Sequence, residues 1–317
     1  MPPKLLHLAN PYPYLLQQLQ FMRIQEVSHY QCADYLLPSW ATVTPSDRRK
    51  VCSWSYDIVD KCAIDREIAC IGMSYLDRFM STSSPRAKIA LVSHHEVQLA
   101  FVTCLLIAMK CRGGIEVNFD FTAKVCQGLY DREEIEEMEK VILAALQWRL
   151  NGPSPHEFIS ALIELLPSCA RSKPNLVSRL TSLSKLQAET AMLDYSIAIR
   201  SSSSIAYAAL LNTTENTNSD IFHPLDRLVW MRNIFLATGM KTIDVGKRSL
   251  VTCDQVQLLL APTLSPSDDN ISYSSVGSTN ENNYWDQVPS ASSSIQTQEC
   301  DSDDDELYIG MSNHVHW

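Results

Sequence analysis

The sequence predicts an all-α protein made of two consecutive helical bundles, with one helix in front and an acidic tail behind. Three observations lead there. Apolar residues recur at three- and four-residue spacing from Tyr12 to Leu260, and no segment of useful length alternates with a period of two. Glycine is scarce, at nine of 317 residues, against a usual ~7%, which disfavours turn-rich β architectures and Gly-rich phosphate loops. The charge is lopsided: the first 248 residues hold all 26 basic side chains and 25 of the 36 acidic ones, leaving a nearly neutral body and a tail with 11 acidic groups and no basic one.

The elements follow in order. Tyr12 to Leu37 carries Leu15, Leu16, Leu19, Met22, Val27 and Tyr30 at imperfect helical spacing. Thr44-Pro45-Ser46-Asp47 is a helix start, with a cap residue and an early proline, and the run Arg48 to Lys61 follows it. Asp65 opens a segment with Ile68, Ile71, Gly72, Tyr75, Leu76 and Phe79 on one face. After a loop from Ser81 to Ser93, Ser93 opens a helix that Gly113-Gly114 ends by permitting φ > 0. A shorter helix is predicted near Phe119 to Leu129. Asp131 caps the next one, with Ile135, Met138, Val141, Ile142, Ala145 and Leu146 on its stripe, and Asn151-Gly152-Pro153 stops it.

The second half repeats this rhythm. Helices are predicted over Ser154 to Leu166, Lys173 to Ile199, Ser201 to Leu211, Pro224 to Ala237 and Val245 to Leu260. Ser201 to Leu211 is almost wholly small or apolar, which suits a central helix buried on all sides. From Pro262 to Glu306 the chain turns rich in Ser, Asp, Asn and Gln, a composition that buries too little apolar surface to offset ordering entropy. The predicted divisions are therefore 1–44, 45–151, 152–261 and a disordered tail at 262–317.

Composition also excludes function classes. No run of about 18 apolar residues exists, so no membrane partner is expected. The N-terminus MPPKLLHLANPYPY lacks the pattern of a secretory signal, so the ten scattered cysteines are expected as reduced thiols in the nucleus and cytoplasm. No Cys-x-x-Cys occurs, and no metal or cofactor is expected. A balanced body argues against a nucleic-acid partner, which needs a concentrated basic patch.

No G-x-S-x-G, Walker or H-E-x-x-H pattern is present, so no catalytic residue is assigned and the protein is not expected to be an enzyme. His94-His95-Glu96 lacks the second histidine a metal motif needs, and a polar helix start explains it. Four charged positions in apolar helical segments are harder to explain: Arg48, Asp77, Lys110 and Glu139. Arg48 and Asp77 suit a buried pair across two helices.

These positions sit in segments that together resemble the cyclin box. The resemblance runs through Trp54, Tyr75-Leu76-Asp77-Arg78-Phe79, Gln98-Leu99, Ile107-Ala108-Met109-Lys110, Met138-Glu139 and Leu146-Gln147-Trp148. Ala188-Glu189 and Leu193-Asp194-Tyr195-Ser196 resemble the C-terminal cyclin fold, and Glu26, His29-Tyr30 and Asp34-Tyr35-Leu36 resemble the cyclin N-terminal helix and its exit. The resemblance implies two five-helix cyclin-fold domains over about residues 15 to 260, nearest to D-type. It implies a structural salt bridge between Arg48 and Asp77, and contacts from Lys110 and Glu139 to a cyclin-dependent kinase. Glu139 would accept from the free N–H groups at the start of the kinase's regulatory helix, and Lys110 would donate to carbonyls of the same segment. That helix carries the glutamate which must meet the kinase's catalytic lysine.

The resemblance further implies a substrate-docking patch at Val51, Trp54, Asp57 and Gln98, although Asp47 and Lys50 depart from the family's Met and aliphatic residues there. No Arg-x-x-Leu and no Leu-x-Cys-x-Glu occurs. The function expected is thus a cyclin, a regulatory subunit that activates a cyclin-dependent serine/threonine kinase during the cell cycle. A cyclin-fold transcription factor and a scaffold that binds no kinase remain the alternatives. Ser265-Pro266 and Ser302 with its following aspartates suit kinases as phosphosites. The tail composition suits either recognition by a ubiquitin ligase or an inert solubilising role.

Overall fold

A computed structural model describes residues 13–240 except 115, 116, 118–120, 123, 124, 126 and 127. Twelve helices and no strand occur among the described residues. The first bundle holds α2 (Pro45–Lys61), α3 (Glu67–Met80), α4 (Pro85–Ala90), α5 (His94–Arg112) and α6 (Arg132–Ala145). The second holds α7 (Pro155–Ile163), α8 (Ser168–Arg171), α9 (Pro174–Ala191), α10 (Tyr195–Ala198), α11 (Ser202–Glu215) and α12 (Pro224–Thr238), and α1 (Pro13–His29) precedes both.

Local chemistry sets most helix starts. Thr44, Asp131 and Ser154 each form a reciprocal capping box, with Asp47, Glu134 and Glu157 respectively. Ser93 caps α5 by accepting from Glu96 N. Proline stands in the first turn of α2, α7, α9 and α12, where its missing N–H costs nothing.

The first bundle is centred on α5, whose residues from Val97 to Met109 are all buried. Its closest neighbour is α3, and the approach depends on Gly72. A Cβ there would lie 3.1 Å from Leu105 Cα. The second bundle packs Phe158, Leu162, Leu180, Tyr207, Leu210 and Trp230 into one core, and Leu19 and Met22 of α1 belong to that same core. The N-terminal helix therefore packs on the second bundle, although the chain runs from it into the first. Trp230 Nε1 donates to Leu162 O at 2.8 Å, so the buried indole leaves no donor unmet.

Four boundaries differ from the sequence expectation. The first helix ends at His29, and Asp34-Tyr35-Leu36 lies beyond it. The loop after Ser81 contains α4, started by Pro85. The end of α5 is as expected, with the positive φ of the Gly113-Gly114 pair on Gly114 at 61°. The helix α6 stops at Ala145 rather than at Asn151-Gly152-Pro153, because Gln147 and Trp148 take φ of 54° and 57°. The predicted helix from Lys173 to Ile199 breaks after Ala191, where Asp194 accepts from Ser196 N and Oγ and starts α10. The Phe119–Leu129 helix lies mostly outside the described residues. The Val245–Leu260 helix, the tail, Ser265 and Ser302 lie wholly outside them.

Candidate functional site

The break after Ala191 has a use: it turns the Met192 carbonyl toward α2. Arg48 is 3% exposed and Asp77 is 2% exposed. Arg48 Nε donates to Asp77 Oδ1 at 2.8 Å and Nη2 to Oδ2 at 2.6 Å, a bidentate pair. Nη1 donates to Met192 O at 2.6 Å. Tyr35 OH donates to Asp77 Oδ1 at 2.7 Å. Burial opposes the charge of Arg48, but the facing carboxylate overrides it and holds the guanidinium protonated. Burial pushes the Tyr35 phenol well up, so it stays a donor.

Around this pair the N-terminal segment is tied to the second bundle. Tyr195 stands edge-on to Tyr35 at 5.1 Å, donates to Asp34 Oδ1 at 2.7 Å and accepts from Leu36 N at 3.1 Å. Arg78 donates to Arg149 O at 2.9 Å and stacks 4.6 Å from the Tyr30 ring, while Tyr75 OH donates to Leu150 O at 2.7 Å. Glu26, buried on α1, accepts from Ser203 N at 2.8 Å and Ser203 Oγ at 2.6 Å, and so caps α11. Burial raises the Glu26 carboxyl above its ordinary value, and the bonds from Ser203 offset part of that.

Lys110 and Glu139 lie together on the exposed side of the first bundle. Lys110 Nζ donates to Glu139 Oε1 and Oε2 at 2.9 and 2.8 Å. Their side chains keep 41% and 23% of their exposure. One cation and one anion, fixed side by side at the end of α5 and the middle of α6, offer an adjacent donor and acceptor to a partner's backbone.

The four docking-patch residues differ in exposure. Val51 and Gln98 are buried, at 2% and 1% exposure, because Val51 lies on the core stripe of α2 and Gln98 on a helix buried all round. Trp54 is half-buried against Phe101 with ring centroids 5.2 Å apart, and Asp57 is exposed. Asp47, in place of the family's apolar residue, is taken up by the α2 cap.

The other candidates have local partners. His94 Nε2 lies 3.4 Å from Asp47 Oδ2, His95 meets the Tyr130 ring at 5.0 Å, and Glu96 pairs with Arg86 at 2.8 Å. The seven described cysteines are free thiols, and burial pushes Cys52 up to about 11. No helix among the described residues is long and apolar enough to cross a membrane.

Sequence reasoning missed Tyr35 and Tyr195 as partners in the network, Glu26 as a cap, and a cluster at Asp65, Glu67 and His156. Only Glu26 left a signal, as a charge among apolar neighbours on α1.

Two tandem helical bundles, bridged by a buried arginine–aspartate pair and a bound linker, define a protein of the cyclin fold. Comparison with known proteins agrees: residues 17–151 match the family described as cyclin, N-terminal domain. This likeness covers α1 and the first bundle. Human G1/S-specific cyclin-D1 is 26% identical over 147 residues, covering 46% of this chain and 45% of the relative. Putative cyclin-A3-1 of Arabidopsis thaliana is 28% identical over 147 residues, covering 46% and 39%. The matched region thus spans less than half the length of these curated relatives. A viral cyclin from herpesvirus saimiri superposes with a TM-score of 0.57 at 20% identity, covering 79% of this chain and 99% of that one, which extends the likeness of fold into the second bundle.

Proposed function

We propose that this protein is a cyclin that binds and activates a cyclin-dependent serine/threonine kinase and thereby controls cell-cycle progression. The observation that carries the reading is the Lys110–Glu139 pair, an exposed donor and acceptor held on the rigid first bundle. Glu139 accepts from the free N–H groups that open the kinase's regulatory helix, and Lys110 donates to carbonyls beside it. Docking holds that helix inward, where its glutamate meets the catalytic lysine needed for phosphoryl transfer. The cyclin positions and the kinase supplies the chemistry. The names of the relatives, cyclin-D1 and cyclin-A3-1, support the same reading.

We further propose that the complex works in nucleus and cytoplasm, and that the acidic tail carries phosphosites at Ser265 and Ser302 read by a ubiquitin ligase. With Val51 and Gln98 buried, substrate choice rests on the kinase and on surfaces other than the family's docking patch.

The test is reconstitution with a panel of cyclin-dependent kinases from the same organism. Wild type co-purifies with one kinase and activates it. The double reversal Lys110→Glu with Glu139→Lys abolishes binding and activation while the thermal midpoint stays within a few degrees, since an exposed pair is worth only ~0.2–1 kcal/mol. Failure of every kinase to bind, or full binding by the reversed protein, sinks the proposal.

A further inference from the structure

Where the α2–α3 turn meets the second bundle, four ionisable side chains converge that kinase binding does not use. Asp65 stands in the turn, Glu67 opens α3, His156 lies in the first turn of α7 and Glu189 near the end of α9. His156 is 2% exposed, and neither ring nitrogen has a hydrogen-bond partner. A carboxylate faces each one. Glu67 Oε2 is 4.0 Å from Nδ1, and Glu189 Oε1 is 3.6 Å from Nε2. Both distances are beyond a hydrogen bond.

Buried polar atoms without partners are costly and call for an explanation. A neutral ring has one N–H and one lone pair. With the N–H on Nε2, it points at Glu189, and the Nδ1 lone pair then points at the carboxylates of the α2–α3 turn. Glu67 Oε1 accepts from Ser154 Oγ, which leaves Oε2 as the atom that faces Nδ1. Donor atoms of Asp65, Glu67 and His156 lie within 4.8 Å of one another. Zinc bonds of about 2.0–2.2 Å draw such atoms to roughly 3.5 Å in tetrahedral geometry, so movements on the order of 1 Å close the shell.

We propose that Asp65, Glu67 and His156 form a divalent-cation site of the zinc class, with Glu189 as the outer carboxylate that orients the ring. The arrangement is that of a metal-bound histidine whose second nitrogen donates to a carboxylate, which fixes the tautomer and the ring angle. One imidazole and two carboxylates suit zinc better than calcium or magnesium, which prefer all-oxygen shells. A cavity of about 460 Å³ borders Asp65 and Glu67, the two carboxylates of the site. Of the nearby guanidinium groups, Arg112 pairs with Glu157, and Arg66 pairs with Asp60 at 2.5 Å and also reaches Glu189 Oε2 at 3.5 Å, which holds that outer carboxylate in place. Asp65 and Glu67 come from the first bundle and His156 from the second, so the ion is a clamp between them.

The experiment titrates the full-length chain, stripped with chelator and kept reduced, with Co²⁺ and with Zn²⁺. Co²⁺ absorbance separates a nitrogen–oxygen site from binding by any of the ten cysteines, because only thiolates add an intense near-ultraviolet charge-transfer band. The decisive variant is Asp65→Asn. Asp65 is exposed, and the amide oxygen still accepts from Glu67 N, a bond of 2.8 Å in the native chain. The expected result is one equivalent of Co²⁺ without thiolate absorbance, a thermal midpoint raised by several degrees with Zn²⁺, and at least tenfold weaker binding in Asp65→Asn with its metal-free midpoint unchanged. His156→Gln loses the site as well, and Asp65→Asn decides alone if that variant does not fold. No binding, binding only with the thiolate band, or equal affinity in Asp65→Asn overturns the proposal.

Discussion

Arg48 of α2 and Asp77 of α3 form a buried bidentate ion pair, and the one remaining guanidinium nitrogen of Arg48 crosses to Met192 O in the second bundle at 2.6 Å. A single side chain thus satisfies a carboxylate in one bundle and a helix-end carbonyl in the other. The helix break after Ala191 makes that carbonyl available, because an unbroken helix would use it internally.

Asp77→Ala leaves Arg48 charged, buried and short of its partner. The expected cost is ~3–5 kcal/mol, a large share of a typical ~5–15. Tyr35→Phe removes one donor to the same carboxylate, which keeps both bonds from Arg48, and is expected to cost only ~1–2 kcal/mol. Urea unfolding of both variants checks the order. Equal costs, or a wild-type midpoint for Asp77→Ala, contradict the network.

Glu26 makes stability depend on pH in a defined direction. Burial raises its folded pKa above the unfolded value of about 4.3, so the folded state binds the proton more tightly. Its contribution is most favourable below the unfolded value and is lost as pH rises through the folded one. Glu26→Gln removes this term, and a rotated Ser203 hydroxyl keeps the side chain bonded. The stability difference should move in favour of Glu26→Gln as pH increases from about 4 toward neutral. A difference independent of pH would falsify the account.

Gly72→Ala sets two effects against each other. Alanine favours a helix by up to ~1 kcal/mol over glycine. Its Cβ would sit 3.1 Å from the Leu105 Cα and 3.3 Å from Cδ1, and the backbone of α5 cannot rotate away. Overpacking of this kind costs ~1–3 kcal/mol, so net destabilisation is expected, read as a lower thermal midpoint. A midpoint at or above wild type shows that α3 and α5 separate freely.

Truncation after residue 261 separates activity from lifetime. With 262–317 removed, kinase activation in vitro should match the full chain and the cellular half-life should lengthen. Ser265→Ala with Ser302→Ala should reproduce the longer half-life. An unchanged half-life leaves the tail an inert solubilising segment.

Local signals carried far along this chain. Thr44, Ser93, Asp131 and Ser154 start helices through partners no more than three residues away, so reading neighbours suffices. Charge in apolar segments marks Arg48, Asp77, Lys110 and Glu139 and makes Arg48 with Asp77 a plausible buried pair, while the contact roles of Lys110 and Glu139 come only from likeness to a family. What one segment cannot show is which side of a helix stays exposed: the burial of Val51 and Gln98 depends on how α2 and α5 roll against their neighbours. The predicted helix from Lys173 to Ile199 looked continuous, and its interruption is held by partners 144 residues distant in sequence.

The amino-acid order by itself determined that this protein is helical, that it comes in two halves, and where most helices begin, because capping and apolar spacing act over one or two turns. Tertiary structure alone decided the rest. It seats α1 on the second bundle, gives Glu26 the cap of α11, turns Met192 O toward Arg48, and gathers Asp65, Glu67 and His156 into one cluster. Each of these joins groups far apart in the chain, and buried charge and unmet hydrogen-bonding capacity select such partners only after packing has brought the helices together.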